Sequence, residues 1–274
     1  MRVYLCALAK NEHLYINEWV KHYIDMGFDK IFIYDNDDKD SKYIGDFIDK
    51  DYKDKVRIIN ARGIHRQNMQ GDFYSNFYEV EKERFDWCLF CDIDEFLTGI
   101  DDIKKFFWKH KFNGFEQIRV KWKLFGDDDI IERDTSIPVM ESFKQEITEP
   151  LTKDLTQVCG LNNQGKCFLR GNLKWVRFYS VHFASRYNNV VRSCLPSGRL
   201  CLSGVEIKED YSKETIFLNH YMTKSLSEFV AQKMNRTDAV FKGRRLDMKY
   251  YWRLNKKTDA KIEYLKNMGL DIDI

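Results

Sequence analysis

The triplet Asp92-Ile93-Asp94 is the part of this chain whose residue types and spacing best suit chemistry. It follows Trp87-Cys88-Leu89-Phe90-Cys91, a continuous apolar run of the kind that forms a strand buried on both faces. In an extended continuation of that strand, residues two apart leave the chain on the same side. Both carboxylates would then face one site at the strand's mouth. Two adjacent carboxylates repel, and each resists ionisation unless a cation lies beside it. A Mg²⁺ or Mn²⁺ ion meets that need, and such ions are commonly shared between one or two protein carboxylates and the phosphates of a substrate. An ion held there would neutralise a diphosphate as it leaves. The competing reading is that Asp92 and Asp94 merely cap a following helix. The triplet alone does not decide between them.

The elements that must position the triplet lie upstream. Val3-Tyr4-Leu5-Cys6-Ala7-Leu8-Ala9 is an apolar run with strand character, closed by Lys10-Asn11-Glu12. Tyr15, Ile16, Trp19, Val20 and Tyr23 recur at helical spacing, which predicts a helix over 14–26 stopped by Gly27. A strand over 30–34 ends in Asp35-Asn36-Asp37-Asp38, which is loop chemistry. A helix over 41–49, a strand over 56–59, a helix over 74–84 and the strand over 87–91 follow. Strands alternating with helices in this order indicate an α/β fold with an open, doubly wound sheet. Ligands in such sheets bind outside the carboxyl ends of the strands. The loops after Ala9, Tyr34 and Cys91 should therefore gather at one edge, and all three are rich in Asp, Asn and Glu. Arg62, Gln67 and Gln70 lie between the third strand and the next helix, placed either to touch a donor or to line an ordinary surface loop.

The second half is less regular. Residues 117–123 predict a strand, followed by Leu124-Phe125-Gly126-Asp127-Asp128-Asp129. Residues 175–183 and 215–221 predict further strands. Ser225 with Glu228 forms a capping-box signature at the start of a helix over 225–240, and 246–268 reads as one or two more helices. Residues 1–222 are expected to form the α/β domain, with a helical C-terminal extension over 223–274.

With 45 basic and 43 acidic side chains, the net charge of +2 excludes a strong electrostatic drive toward nucleic acid. The basic residues cluster late, at Lys242, Arg244, Arg245, Lys249, Arg253, Lys256 and Lys257. That cluster is either a solvated face or a peripheral contact with phosphate or an anionic membrane. Aromatic residues make up 15% of the chain, enough both to fill a core and to leave rings for stacking on sugars. The seven cysteines sit mostly in apolar runs. Cys88 and Cys91 have redox-pair or zinc-pair spacing but fall in a strand, so buried thiols in a reducing cytosol are expected. The opening lacks signal-peptide character, and no run is long enough to span a bilayer. A cytoplasmic location, with transient attachment to the inner face of a membrane through the basic segment, is the expectation.

Ala9-Lys10-Asn11-Glu12, the helix bearing Glu18-Trp19, Ile33-Tyr34-Asp35-Asn36-Asp37, and Phe85-Asp86-Trp87 through Asp92-Ile93-Asp94-Glu95-Phe96-Leu97 together resemble the family 2-like and family 92 glycosyltransferases. Trp122 with Phe125-Gly126, His182, and His220-Tyr221-Met222-Thr223-Lys224-Ser225 resemble further elements of those families. The resemblance implies the GT-A fold, a Rossmann-like, mostly parallel sheet flanked by helices. It also implies a nucleotide-diphospho-sugar donor with Mn²⁺ or Mg²⁺. Carried onto this sequence, Ala7, Lys10, Asn11, Glu12 and Asp35 would hold the nucleoside, and Arg62 and Gln70 would reach the donor. Asp92 would lie by the ribose or the ion. Asp94 would bind the ion, and His220 fits the late histidine that completes the metal shell. Inversion at the anomeric carbon is implied, which needs a general base. Asp127 and Asp128 are candidates and Glu95 is another, although the acidic run after Phe125-Gly126 departs from the family pattern. UDP-galactose is the first donor by analogy, and a glycan or lipid-linked oligosaccharide in surface polysaccharide synthesis is the acceptor. A nucleotidyltransferase would carry a glycine-rich basic loop after the first strand, which Ala9-Lys10-Asn11-Glu12 is not. A non-catalytic carbohydrate-binding module on the same fold is the other alternative.

Overall fold

The structure, a computed structural model, describes residues 1–110, 112–148, 163–187, 190–234 and 246–270. Strand β1 (Val3–Ala9) is buried along its whole length, as an unbroken apolar run requires. Helix α1 (Ile16–Asp25) lays Ile16, Trp19, Val20 and Tyr23 into the core, and Gly27 takes the left-handed φ of 97° that turns the chain back. Strands β2 (Lys30–Asp35) and β3 (Val56–Asn60), helix α2 (Met69–Glu81) and strand β4 (Trp87–Phe90) follow. β1 pairs in parallel with both β2 and β4, and β2 in parallel with β3, so four parallel strands stand in the order β3-β2-β1-β4.

Beyond β4 the sheet becomes mixed. β5 (Glu95–Thr98), α3 (Ile103–His110) and β6 (Gln117–Leu124) precede the short α4 (Val139–Ser142) and then β7 (Gly165–Arg170), which runs antiparallel between β4 and β6. The hairpin β8 (Arg177–Ser180) and β9 (Phe183–Ser185) forms a separate two-stranded sheet. β10 (Ser193–Cys194) and β11 (Leu200–Cys201) extend the far edge, and β12 (Phe217–His220) pairs with β5 and β6. The result is a mixed α/β fold with a mostly parallel central sheet flanked by helices, compatible with a Rossmann-like arrangement.

Three local expectations are corrected. Residues 41–49 form 3₁₀ turns, Ile44–Phe47 and Lys50–Tyr52, with extended residues between, in place of an α-helix. Gly45 weakens the helix, and the Asn17 side chain pins Asp49 by donating to its carboxylate and accepting from its N–H. Residues 175–183 are not one strand, because a turn at Val181-His182 folds them into the hairpin. Helix α2 begins earlier than the apolar pattern suggested, and Gly71 within it lets the Phe178 carbonyl approach. A Cβ there would lie 2.5 Å from that oxygen.

The chain divides into two compact units, Met1–Trp122 with Asn163–Asn219, and Lys123–Asn162 with His220–Ile274. The C-terminal residues thus group with the Asp127 loop. In this second unit Ser225 and Glu228 form the expected capping box, opening α5 (Leu226–Glu228), and a π-helical turn, Phe229–Lys233, continues it. The rest of the helix expected to residue 240 lies outside the described residues, as do Lys242, Arg244 and Arg245. Two helices then appear, α6 (Met248–Leu254) and α7 (Asp259–Asn267), capped by Asp247 and Thr258. Leu226, Phe229, Met248, Tyr251, Trp252 and Leu265 are the core of this unit. Among the described residues, no helix is long and apolar enough to cross a membrane.

Candidate active site

The polar ends of β1, β2 and β4 lie side by side, since Ala9 pairs with Asp35 and Cys6 with Phe90. Strand order reverses at β1, with β2 on one flank and β4 on the other. That is where doubly wound sheets open a crevice.

β4 stops at Phe90, and the chain then turns. The Glu95 N–H donates to the Asp92 carbonyl at 3.2 Å and Ile93 is buried, so the triplet is a tight turn leading into β5. The extended geometry expected to put both carboxylates on one side is absent, and so is a following helix. Asp94 is buried, while the Asp92 side chain keeps 30% of its surface exposed.

Asp92 is held from two sides. Gln70 Nε2 donates to Oδ1 at 2.5 Å, and the Lys166 ammonium donates to Oδ2 at 2.8 Å. Gln70 also donates to the Tyr74 hydroxyl, which donates to the Cys91 carbonyl. Helix α2 therefore sets the rotamer of Asp92 through two of its own side chains. Lys166 comes from β7, is 1% exposed, and also lies 3.8 Å from Glu95 Oε1. Burial pulls the pKa of its ammonium down, but the carboxylates of Asp92 and Glu95 more than reverse this and leave it raised. Glu95 is fully buried, anchored by α1 (Trp19 Nε1 and the Tyr23 hydroxyl donate to its carbonyl), and its Oε2 accepts the Asp92 N–H. Burial drives its carboxyl well above the ordinary range, opposed but not reversed by Lys166. A carboxyl held toward its neutral form is poorly placed to act as a base.

His182, in the β8–β9 turn, packs edge-on against Trp122 at 5.2 Å. Its Nδ1 lies 3.0 Å from the Gly165 carbonyl, which can only accept, so Nδ1 carries the hydrogen and Nε2 is the bare nitrogen. Its pKa is pulled down to about 3, by burial first and then by the Lys166 ammonium. The ring stays neutral, fit to accept a hydrogen bond and too weak a base to keep a proton.

At the ends of β1 and β2 a second polar group is assembled. Asn11, at φ 59°, donates its N–H to Asp37 Oδ1 at 2.6 Å, and His13 Nε2 is 3.1 Å from Asp37 Oδ2. Asn36 ties the Ala61 and Ile64 carbonyls. Asp35 is fully buried, with its pKa raised chiefly by that burial, and Arg62 Nε lies 3.7 Å away. Lys10 sits with Asp38 and His65. Glu12 is buried, and its carbonyl accepts the first N–H groups of the α1 turn. Ala7 is different: it lies inside β1, fully buried, and presents no surface to a nucleoside.

Asp127, Asp128 and His220 belong to the second unit. Asp127 is buried and binds Lys261 Nζ at 2.6 Å and the Tyr251 hydroxyl, while its N–H is held by Asn255. Asp128, at φ 51°, accepts the Lys144 and Gln145 N–H groups. Both candidate bases are thus committed to loop architecture, beside a cavity of about 300 Å³ that also reaches Glu146 and Lys256. His220 is buried at the end of β12, and its carbonyl accepts the Phe125 N–H.

The donor set does not fit an ion at Asp92. Lys166 already lies against one oxygen and Gln70 against the other, and among the described residues no group of three or more His, Cys, Asp or Glu could hold a metal. For Asp92, the chain itself supplies a cation in Lys166. The six described cysteines are free and buried, Cys88 and Cys91 included; Cys159 lies outside the described residues. Lys166 was missed in sequence, although one signal was present. A single lysine inside Gly165-Lys166-Cys167-Phe168-Leu169 must be buried, and a buried ammonium needs a carboxylate. Neither protein-family models nor curated proteins match the chain.

Proposed function

We propose that the chain is a glycosyltransferase of GT-A type that takes its sugar from a nucleotide-diphospho-sugar donor, with the Asp92 turn at its reaction centre. One observation carries this reading. A carboxylate with a rotamer fixed by Gln70 and Lys166 stands at the carboxyl end of β4, beside the polar ends of β1 and β2.

In the transfer, an acceptor hydroxyl oxygen bonds to the anomeric carbon and releases its proton to solvent, while the bond to the diphosphate breaks and the diphosphate keeps the electron pair. Asp92 accepts hydrogen bonds from donor hydroxyls through its exposed surface, while Lys166 holds its other oxygen. Asp94 is the second carboxylate of the turn. His182, with Nε2 bare, accepts from an acceptor hydroxyl and orients it. Asn11 and Arg62 face the nucleoside end of the donor, held in place by the buried Asp37 and Asp35. Mn²⁺ or Mg²⁺ enters only through the family resemblance, and no step here is routed through it. UDP-galactose is the first donor to try, with a glycan or lipid-linked acceptor. A carbohydrate-binding module is the second reading, favoured by the engagement of both Asp92 oxygens with protein donors.

A panel of UDP-sugars, incubated with and without Mn²⁺, tests the first reading by UDP release and thermal shift. Slow hydrolysis of one donor, reduced at least roughly tenfold in Asp92→Asn, supports it. Glycan binding without hydrolysis of any donor favours the module, and the absence of both hydrolysis and donor-induced stabilisation rejects the transferase.

A further inference from the structure

The β8–β9 hairpin carries a row of rings that the site around Asp92 does not use. Along residues 175–179 the chain alternates strictly. Trp175, Arg177 and Tyr179 face outward, and Val176 and Phe178 are buried. Trp175 is 87% exposed and Tyr179 63%, and Tyr187, just beyond β9, is 86% exposed. Burial of rings this large is the ordinary outcome of folding, so three of them left in water on one short element call for a ligand. Trp175 also sits at φ 61°, a left-handed conformation unfavourable for a bulky residue. The backbone is strained at the residue that presents the largest exposed ring.

The platform is rigid. Phe178 packs against Phe90 at 4.4 Å and Tyr74 at 5.4 Å, and its N–H donates to Ser75 Oγ. These are α2 and β4 contacts, made by the same elements that hold Asp92. The hairpin turn carries His182, whose charge environment includes both Lys166 and Asp92. His182 also packs on Trp122, whose ring centre lies 6.0 Å from Lys166 Nζ, and Lys166 pairs with Asp92, so the turn of the hairpin stands next to the Asp92 site. Trp175 lies two residues before β8 and Tyr179 within it, so the two rings are set apart along the chain, which suits a short oligosaccharide better than a single sugar.

The charge pattern identifies the class of that oligosaccharide. Residues 172–187 contain Lys174, Arg177 and Arg186 and no aspartate or glutamate. Arg186 is consumed by a bidentate pair with Glu116, whereas Arg177 is exposed between Trp175 and Tyr179, and Lys174 is exposed next to Trp175. Flat rings stack on the C–H faces of sugars, and cations set among and beside them match carboxylates carried by the sugars. We infer that the outer face of the β8–β9 hairpin binds a uronate-bearing glycan, which the transferase reading makes the acceptor strand.

Titrate the whole chain with galacturonate oligosaccharides and, in parallel, with neutral dextran oligosaccharides and with phosphatidylserine–phosphatidylcholine vesicles, reading tryptophan fluorescence and heat. The acidic oligosaccharide is expected to bind more weakly as salt rises. Trp175→Ala should weaken it at least roughly tenfold, as loss of an aromatic anchor does, and Arg177→Gln should weaken it several-fold and flatten the salt dependence. Because both side chains are exposed, these variants should melt with the wild type. Equal affinity for dextran, indifference to Trp175→Ala, or Trp175-dependent vesicle binding in place of glycan binding overturns the inference. Donor hydrolysis by the wild type is scored separately. A chain that binds the glycan through Trp175 but neither hydrolyses nor is stabilised by any nucleotide sugar defeats the transferase reading and leaves the binding surface standing.

Discussion

Replacing Lys166 by methionine tests whether the Asp92 turn depends on a cation from the chain. Methionine keeps much of the length and apolar stem and removes the charge. The ammonium lies 2.8 Å from Asp92 Oδ2 and 3.8 Å from Glu95 Oε1. At an effective dielectric constant of about 20, the closer pair attracts by about 6 kcal/mol. Most of this is offset in the folded protein by the desolvation of an ammonium that is 1% exposed. In the variant the offset vanishes together with the attraction, but Asp92 is left charged and without its counter-ion. Breaking a buried pair from one side costs about 3–5 kcal/mol, and the partial exposure of Asp92 places this case at the lower end, about 3 kcal/mol. For a chain of this size, that lowers the melting temperature by about 6 °C.

The measurement is a double-mutant cycle in urea with Lys166→Met, Asp92→Asn and both together. Asp92→Asn alone strands the ammonium and should also destabilise. The double variant has no unmatched charge, so it should recover part of the loss, with a coupling of about 2 kcal/mol. Strictly additive losses, or a Lys166→Met protein as stable as the wild type, would refute the reasoning and return the triplet to the metal-ion explanation.

Three further outcomes follow from the packing. Gly71→Ala gains helix propensity but drives a Cβ to 2.5 Å from the Phe178 carbonyl, so a net loss of about 1–3 kcal/mol in urea unfolding is expected. Lys261→Met strips the ammonium that is 2.6 Å from buried Asp127 and 2.9 Å from Asp129. It should cost about 3–5 kcal/mol in the second unit, visible as a lowered urea midpoint. The third concerns acid. The bidentate Arg186 contact holds the Glu116 carboxyl below its ordinary 4.5, so the stability it provides is present above that value and is lost as pH falls through the folded pKa. Glu116→Gln should therefore be weaker than the wild type by up to about 1 kcal/mol at neutral pH, with the two curves converging as pH falls through the folded pKa.

The parallel half of the fold was legible because each element there has a single cause. β1 reads as seven apolar residues and is buried at all seven, and α1 reads as one apolar face that ends in a glycine. The mixed half was not, because its elements depend on partners distant in sequence. β7 has no alternation to read, since β4 and β6 cover its edges and it is buried almost throughout. The turn inside 175–183 is equally silent, as Val181-His182 carries no Gly, Pro, Asn or Asp to mark it. At the site, Asp92 and Gln70 were identified separately, but their direct hydrogen bond depends on α2 starting at Met69, five residues before the start read from the sequence. Asp127 and Asp128 were candidate bases because the implied inversion needs one and they follow Phe125-Gly126. Lys261, more than a hundred residues away, is what makes the Asp127-Asp128-Asp129 cluster tolerable in the fold.

That lysine and Lys166 resolve the same electrostatic problem in the same way. In each unit an acidic turn that could have demanded a divalent ion is instead neutralised by an ammonium that is about as buried as a core leucine, delivered by an element remote in sequence. A bound ion would leave such turns empty and self-repelling whenever it dissociates. A lysine from β7 makes the charge balance of the Asp92 turn a property of the folded chain. It follows that chelation and folding should be separable here. EDTA should leave the melting temperature of the wild type unchanged even if it abolishes donor turnover, whereas Lys166→Met should lower it with or without metal. A melting temperature that falls on chelation in the wild type would place an ion inside the fold and overturn the assignment of Lys166 as the resident cation.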